Sequence, residues 1–171
     1  LIVTGVQTCA LPISAFEQEG APFGFTPLPY LKQEAWDALL CACDFNFVRG
    51  EDSFARACLC AKPFVWHAYE QDEELHLVKV QALLERLKPF VEDKALFLTI
   101  QEYFLLYNKR FCREEFEAEA SAEQKGKDLL LKILQNYEAV KKAMVAFSAS
   151  LIQNGNLTEH LLNYIQSQGL L

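Results

Sequence analysis

Between residues 34 and 87 the chain alternates short apolar runs with helical periodicities, joined by links so short that successive elements must be neighbours in space. Trp36, Leu39, Leu40 and Cys43 recur at i, i+3, i+4 and i+7, the spacing of one buried helix face. Phe45–Val48 then reads as a brief strand, ended by Arg49 and Gly50. Phe54, Ala57, Cys58 and Ala61 repeat the helical spacing, so a second helix starts near Glu51 to Ser53, with Asp52 or Ser53 as its cap. Pro63–Tyr69 is aromatic and β-branched, hence a second strand. The acidic Glu70 to Glu74 starts a third helix, where carboxylates suit the N-terminal dipole, and Leu77, Val80, Leu84 and Leu87 give it a face. Helix, strand, helix, strand, helix in this rhythm predicts the α/β class, with a parallel sheet covered by helices.

Outside that block the pattern changes. Phe23–Leu28, bounded by Gly24, Pro27 and Pro29, reads as a strand end leading into a loop. From Lys94 onward the strand signals stop. Leu130, Ile133, Leu134, Tyr137, Val140, Met144, Phe147 and Leu151 predict one long amphipathic helix, Asn154 to Asn156 breaks it, and Thr158–Gln166 forms a last short one. The charged stretch Arg113–Asp128 reads as a solvated loop or a helix end, and there is no internal repeat.

Composition narrows the function. A formal net charge of -7 gives no basic stripe of the kind that nucleic acid or an anionic membrane surface needs. No apolar run reaches the roughly 18 residues of a membrane span. A cytoplasmic protein is expected. Cys41 with Cys43 and Cys58 with Cys60 form two C-x-C pairs, a spacing tighter than that of structural zinc pairs. They are expected to be buried thiols in a reducing compartment, behaving as small apolar residues. The uncharged N-terminus lacks the basic start and cleavage pattern of a signal peptide. Val3–Ile13 instead resembles a common sequencing adapter translated in frame. On that reading residues 1–14 are an artefact, and 15–171 are one domain truncated on its N-terminal side, with a helical region from about 94 to 171.

The chemistry concentrates in Asp44–Ser53, where a strand end, a glycine turn and a helix start fall together, the place where open α/β sheets bind ligands. Backbone N–H groups at a helix start lack partners within the helix and point at an incoming anion, so a diphosphate fits there. Arg49 can add a forked contact to phosphate oxygens and Ser53 a hydroxyl. No glycine-rich phosphate loop and no Ser-His-Asp order accompanies them, and His67, His76 and His160 are too scattered to suggest a metal site. His67 reads as a core histidine.

Three blocks go further. Pro29-Tyr-Leu-Lys-Gln33, Ala42 to Ala57 with its core Asn46-Phe-Val-Arg-Gly-Glu-Asp-Ser-Phe54, and Lys62 to Gln71 with Pro63-Phe-Val-Trp-His67 resemble the signature blocks of bacterial protein-arginine rhamnosyltransferases that modify translation elongation factor P. The likeness runs from about residue 22 to 171 and is strongest from Tyr30 to Leu87. It implies the Rossmann-like C-terminal domain of a GT-B glycosyltransferase, which binds dTDP-β-L-rhamnose and transfers the sugar with inversion to an arginine of elongation factor P. It further implies that Tyr30 and Gln33 contact the thymine end of the donor, that Arg49, Asp52 and Ser53 hold the diphosphate, and that Glu51 is the essential acidic residue near the sugar. Asp52 is expected to act through its backbone N–H, since its carboxylate is repelled by phosphate. The family's aspartate base and most of its acceptor-docking surface lie on the other domain, so the fragment alone is expected to be inactive; no metal is expected. Cys41, Cys43, Cys58 and Cys60 depart from the aromatic, alanine or other small residues of the pattern, and Lys32 from a proline. Two other readings remain: a non-catalytic helical interaction module, and a GT-B transferase using another nucleotide sugar.

Overall fold

The structure, a computed structural model, describes residues 2–5, 28–111 and 120–169. Three parallel strands form one sheet in the order β1 (Ile2–Gly5), β2 (Phe45–Arg49), β3 (Phe64–His67). Helix α1 (Gln33–Ala42) precedes β2, α2 (Glu51–Leu59) links β2 to β3, and α3 (Leu75–Leu87) follows β3. Then come α4 (Lys94–Phe111), α5 (Ala120–Gln135), α6 (Tyr137–Gln153) and α7 (Leu157–Ser167). The fold is therefore mixed α/β and mostly helical.

Alternation along the strands puts helices on both faces of the sheet. On one face Phe54 of α2 stacks on Trp66 with centroids 4.2 Å apart, and buried Asn46 donates from Nδ2 to the Leu40 carbonyl of α1. On the other, Tyr107 of α4 meets Phe47 and His67, at 5.7 and 5.8 Å. One apolar core joins these layers, running from Leu40, Val48 and Val65 through Val80, Leu84, Ile100 and Phe104 to Ile133, Met144 and Phe147. Buried Asn108 ties α4 to the end of β3: its Oδ1 accepts from Ala68 N–H, and its Nδ2 donates to the carbonyls of Trp66 and Phe104.

Several expectations are corrected. The apolar run from Leu130 to Leu151 is two helices, because Asn136, with φ −104° and ψ 27°, leaves the helical region between α5 and α6. Its N–H donates to the Lys132 and Ile133 carbonyls, and its Nδ2 is a second donor to the Lys132 carbonyl, so the last turn of α5 is closed by Asn136 itself. Of the two readings of the charged stretch Arg113–Asp128, a solvated loop or a helix end, its described part is the second, since α5 starts at Ala120; residues 112–119 lie outside the described ones. The acidic segment holds a 3-10 turn, Asp72–Glu74, with Glu73 and Glu74 at positive φ, and α3 starts only at Leu75. The strand end at Phe23–Leu28 falls outside the described residues except for exposed Leu28. Ile2–Gly5 pairs with β2 through backbone groups, which any chain of β propensity supplies, so the ladder is neutral on the segment's origin. No described helix is long and apolar enough to cross a membrane.

The cysteines divide. Cys43 and Cys58 are buried thiols on the apolar faces, as their periodicity predicts, but Cys41 and Cys60 are joined as a disulfide. Both lie at helix C-termini near the surface, where the thiols can meet, and sequence spacing alone does not reveal such connectivity.

Candidate functional site

The C-terminal ends of β2 and β3 lie side by side, with Arg49 opposite His67 in the register. Between β2 and α2 the chain turns on Gly50, whose φ of 78° is one that L side chains rarely adopt. Space enforces the choice as well, because a Cβ there would come within 2.6 Å of the Tyr69 ring. Two bonds fix the turn: Gly50 N–H donates to the His67 carbonyl at 3.1 Å, and Trp66 Nε1 donates to the Gly50 carbonyl at 3.1 Å.

Gly50 is also the N-cap of α2, with no side-chain cap hydrogen bond, which corrects the expectation that Asp52 or Ser53 caps it. Both lie inside the first turn instead. Phe54 N–H is the first to reach back to Gly50, so the N–H groups of Glu51, Asp52 and Ser53 lack acceptors within the helix. Arg49 stands beside this open start. Its guanidinium carbon sits 5.4 Å from the centre of the Tyr69 ring, and its Nε–H is buried without a hydrogen-bond acceptor. Buried donors in that state are rare and ask for a partner.

The acidic residues of the first turn are both ion-paired. Asp52, with a side chain 74% exposed, pairs at 2.9 Å with Arg56 one turn on. Arg56 also reaches Asp37 of α1 at 2.8 Å, and Asp37 accepts from Gln33 Nε2 at 3.2 Å. Gln33 and Asp52, predicted as one site from distant stretches, are thus joined by a run of polar contacts. Glu51 pairs at 3.2 Å with Lys79 of α3. Tyr30, 86% exposed ahead of α1, is tied to none of these by a hydrogen bond among the described residues. Ser53 is half-buried in the first turn.

His67 is half-buried beside Arg49, and its pKa falls to about 4, first through desolvation and then through the charge of Arg49 and the influence of His76. Sequence reasoning gave no role to Tyr69 or Lys79. Tyr69 lies in a quoted motif, but only the positive φ of Gly50 creates the space it fills. Lys79 stands 28 residues from Glu51, and no periodicity links them.

An open helix start with an arginine at the strand end is an anion-binding arrangement shared by many α/β proteins, and relatives decide between them. A family model described as Elongation-Factor P (EF-P) rhamnosyltransferase EarP matches residues 8–166. This chain belongs to that family. Its relatives include protein-arginine rhamnosyltransferases of Shewanella oneidensis, 47% identical over 70 residues, and of Pseudomonas aeruginosa, 53% identical over 58. These stretches make up 39% and 34% of this chain, but 18% and 15% of the relatives. A relative in Neisseria meningitidis serogroup B is 38% identical over 89 residues, 49% of this chain and 23% of that protein. A structure solved for EarP-mediated arginine glycosylation of translation elongation factor EF-P superposes with a TM-score of 0.63 at 22% identity. That match takes in 98% of this chain and 51% of the solved one, so the chain spans about half of that EarP protein. The EarP family is one of glycosyltransferases.

Proposed function

We propose that the start of α2 is the diphosphate-binding end of a dTDP-β-L-rhamnose site, and that this chain is the donor-binding part of a GT-B protein-arginine rhamnosyltransferase acting on translation elongation factor P in the cytoplasm. The observation that carries the reading is Arg49, whose buried Nε–H has no acceptor and whose guanidinium lies beside a helix start with unpaired N–H groups. Two donor types of that kind converge on a dianion better than either alone. Asp52 fits the same role through its N–H, since Arg56 draws its carboxylate aside.

In this reading Tyr30 and Gln33 meet the thymine end, and Arg49 with the N–H groups of Asp52 and Ser53 holds the diphosphate. Glu51, held by Lys79, is the acidic residue near the sugar. The reaction is an inverting displacement. A guanidine nitrogen of the acceptor arginine attacks the anomeric carbon, the bond to the diphosphate oxygen breaks, and an aspartate from the other half of the protein takes the proton. The departing charge is met by Arg49 and the helix start, so the reading calls for no metal ion.

Calorimetry with dTDP tests the site. Arg49→Ala is expected to weaken binding by about 1.5–3 kcal/mol, the range for hydrogen bonds to charged groups. Unchanged dTDP affinity in a folded Arg49→Ala chain would remove the basis of the reading. Equal binding of UDP would leave the anion site standing and overturn the thymine assignment.

A further inference from the structure

Among the described residues, the cysteines carry chemistry that this site leaves unused. Cys41, in the last turn of α1, and Cys60, the C-cap of α2, are joined through their sulfurs with Cα atoms 5.0 Å apart. That separation lies inside the roughly 4.4–6.8 Å that a disulfide spans without backbone movement. Cys41 is exposed and Cys60 partly so, whereas Cys43 and Cys58 are buried. Burial pushes the Cys58 thiol up to about 12 and raises that of Cys43, so neither supplies a thiolate near neutral pH. Two of the four described thiols are therefore placed for exchange with solutes, and they are each other's neighbours.

We propose that Cys41 and Cys60 form a reversible thiol–disulfide exchange site for low-molecular-weight disulfides such as oxidised glutathione, and that its closed form staples the C-terminal ends of α1 and α2 together. The exposed Cys41 thiolate attacks one sulfur of oxidised glutathione, giving the mixed disulfide and releasing one glutathione thiolate. The Cys60 thiolate then attacks Cys41 Sγ, forming the protein disulfide and releasing the second. Two protein thiols are oxidised, one glutathione disulfide is reduced to two thiols, and the protons given up by the cysteines balance the released thiolates. The bond closes a loop with a sequence separation of 19, which takes in all of β2, the Gly50 turn and α2. The Asp37–Arg56 ion pair joins the same two helices nearer the start of α1, so oxidation adds a second tie to an existing seam. None of this depends on what the start of α2 binds.

The test exposes the reduced 171-residue chain to reduced or oxidised glutathione, alkylates it, and maps the cysteines by mass spectrometry. Oxidised glutathione should yield the Cys41–Cys60 pair and raise the melting temperature by several degrees, a shift that Cys41→Ser and Cys60→Ser each remove. Cys60→Ser should hold one glutathione on Cys41, because no second thiol resolves it. That readout needs no stable variant. Full alkylation of Cys41 and Cys60 after oxidised glutathione, or pairing spread equally over Cys9 and Cys112, would overturn the proposal.

Discussion

Arg49 and His67 are register partners at the mouth of the sheet, and two cations there would repel each other across a half-buried space. The protein resolves this by keeping His67 neutral near pH 7, its pKa lowered to about 4, while the Arg49 guanidinium bears on the Tyr69 ring. A histidine whose folded pKa lies below its free value of about 6.5 holds fewer protons folded than unfolded, so stability rises with pH across the gap between them. The His67 contribution is complete above about pH 6.5 and is lost as pH falls towards about 4. Urea unfolding at pH 7 and at pH 4.5 should show His67→Gln losing less stability between the two than the parent chain; equal losses would show that His67 does not titrate as described. That His67 is a packed residue is legible from its place in an apolar strand. That Arg49 is its register partner is not, because the strand register is invisible in the sequence.

At the scale of elements, the sequence is most legible where apolar periodicity and turn residues coincide, as at α1, β2, the Gly50 turn and α2. It is least legible where a polar residue interrupts an unbroken apolar stripe. Ile133, Tyr137 and Val140 keep helical spacing across the break at Asn136, because a single non-helical residue alters direction while leaving the core-facing spacing intact. Asn108 is a second such case, a polar residue in α4 with no signal of its own. The β3 ladder ends at His67, and the next N–H, of Ala68, is buried; Asn108 is the side chain that satisfies it. Asn108→Ala would leave that N–H and the Trp66 carbonyl without this partner, at about 1–3 kcal/mol for each buried polar group orphaned. A destabilisation of about 3 kcal/mol is expected in denaturant titrations, and a loss under about 1 kcal/mol would mean that water replaces the amide.

For the molecule as a whole, the chain corresponds to about half of the solved EarP protein it superposes on, and that fraction bears on catalysis. A transferase accelerates its reaction by holding nucleophile, base and anomeric carbon within near-attack distance, and a placement error of about 1 Å is costly. In the proposed mechanism the start of α2 meets the leaving diphosphate, with Glu51 and Lys79 alongside, and the aspartate base comes from the other half of the protein. The 171-residue chain with saturating dTDP-rhamnose is therefore expected to leave translation elongation factor P unmodified. A chimera carrying the remaining half of a homologous rhamnosyltransferase upstream of Ala15 should restore transfer, and Glu51→Gln in that chimera should abolish it. The two results test different claims. An acceptor mass increased by one rhamnosyl group after incubation with the isolated chain would show that all the catalytic groups already lie within it. Undiminished transfer by the Glu51→Gln chimera would instead remove Glu51 from the chemistry while leaving the diphosphate site proposed at Arg49 untouched.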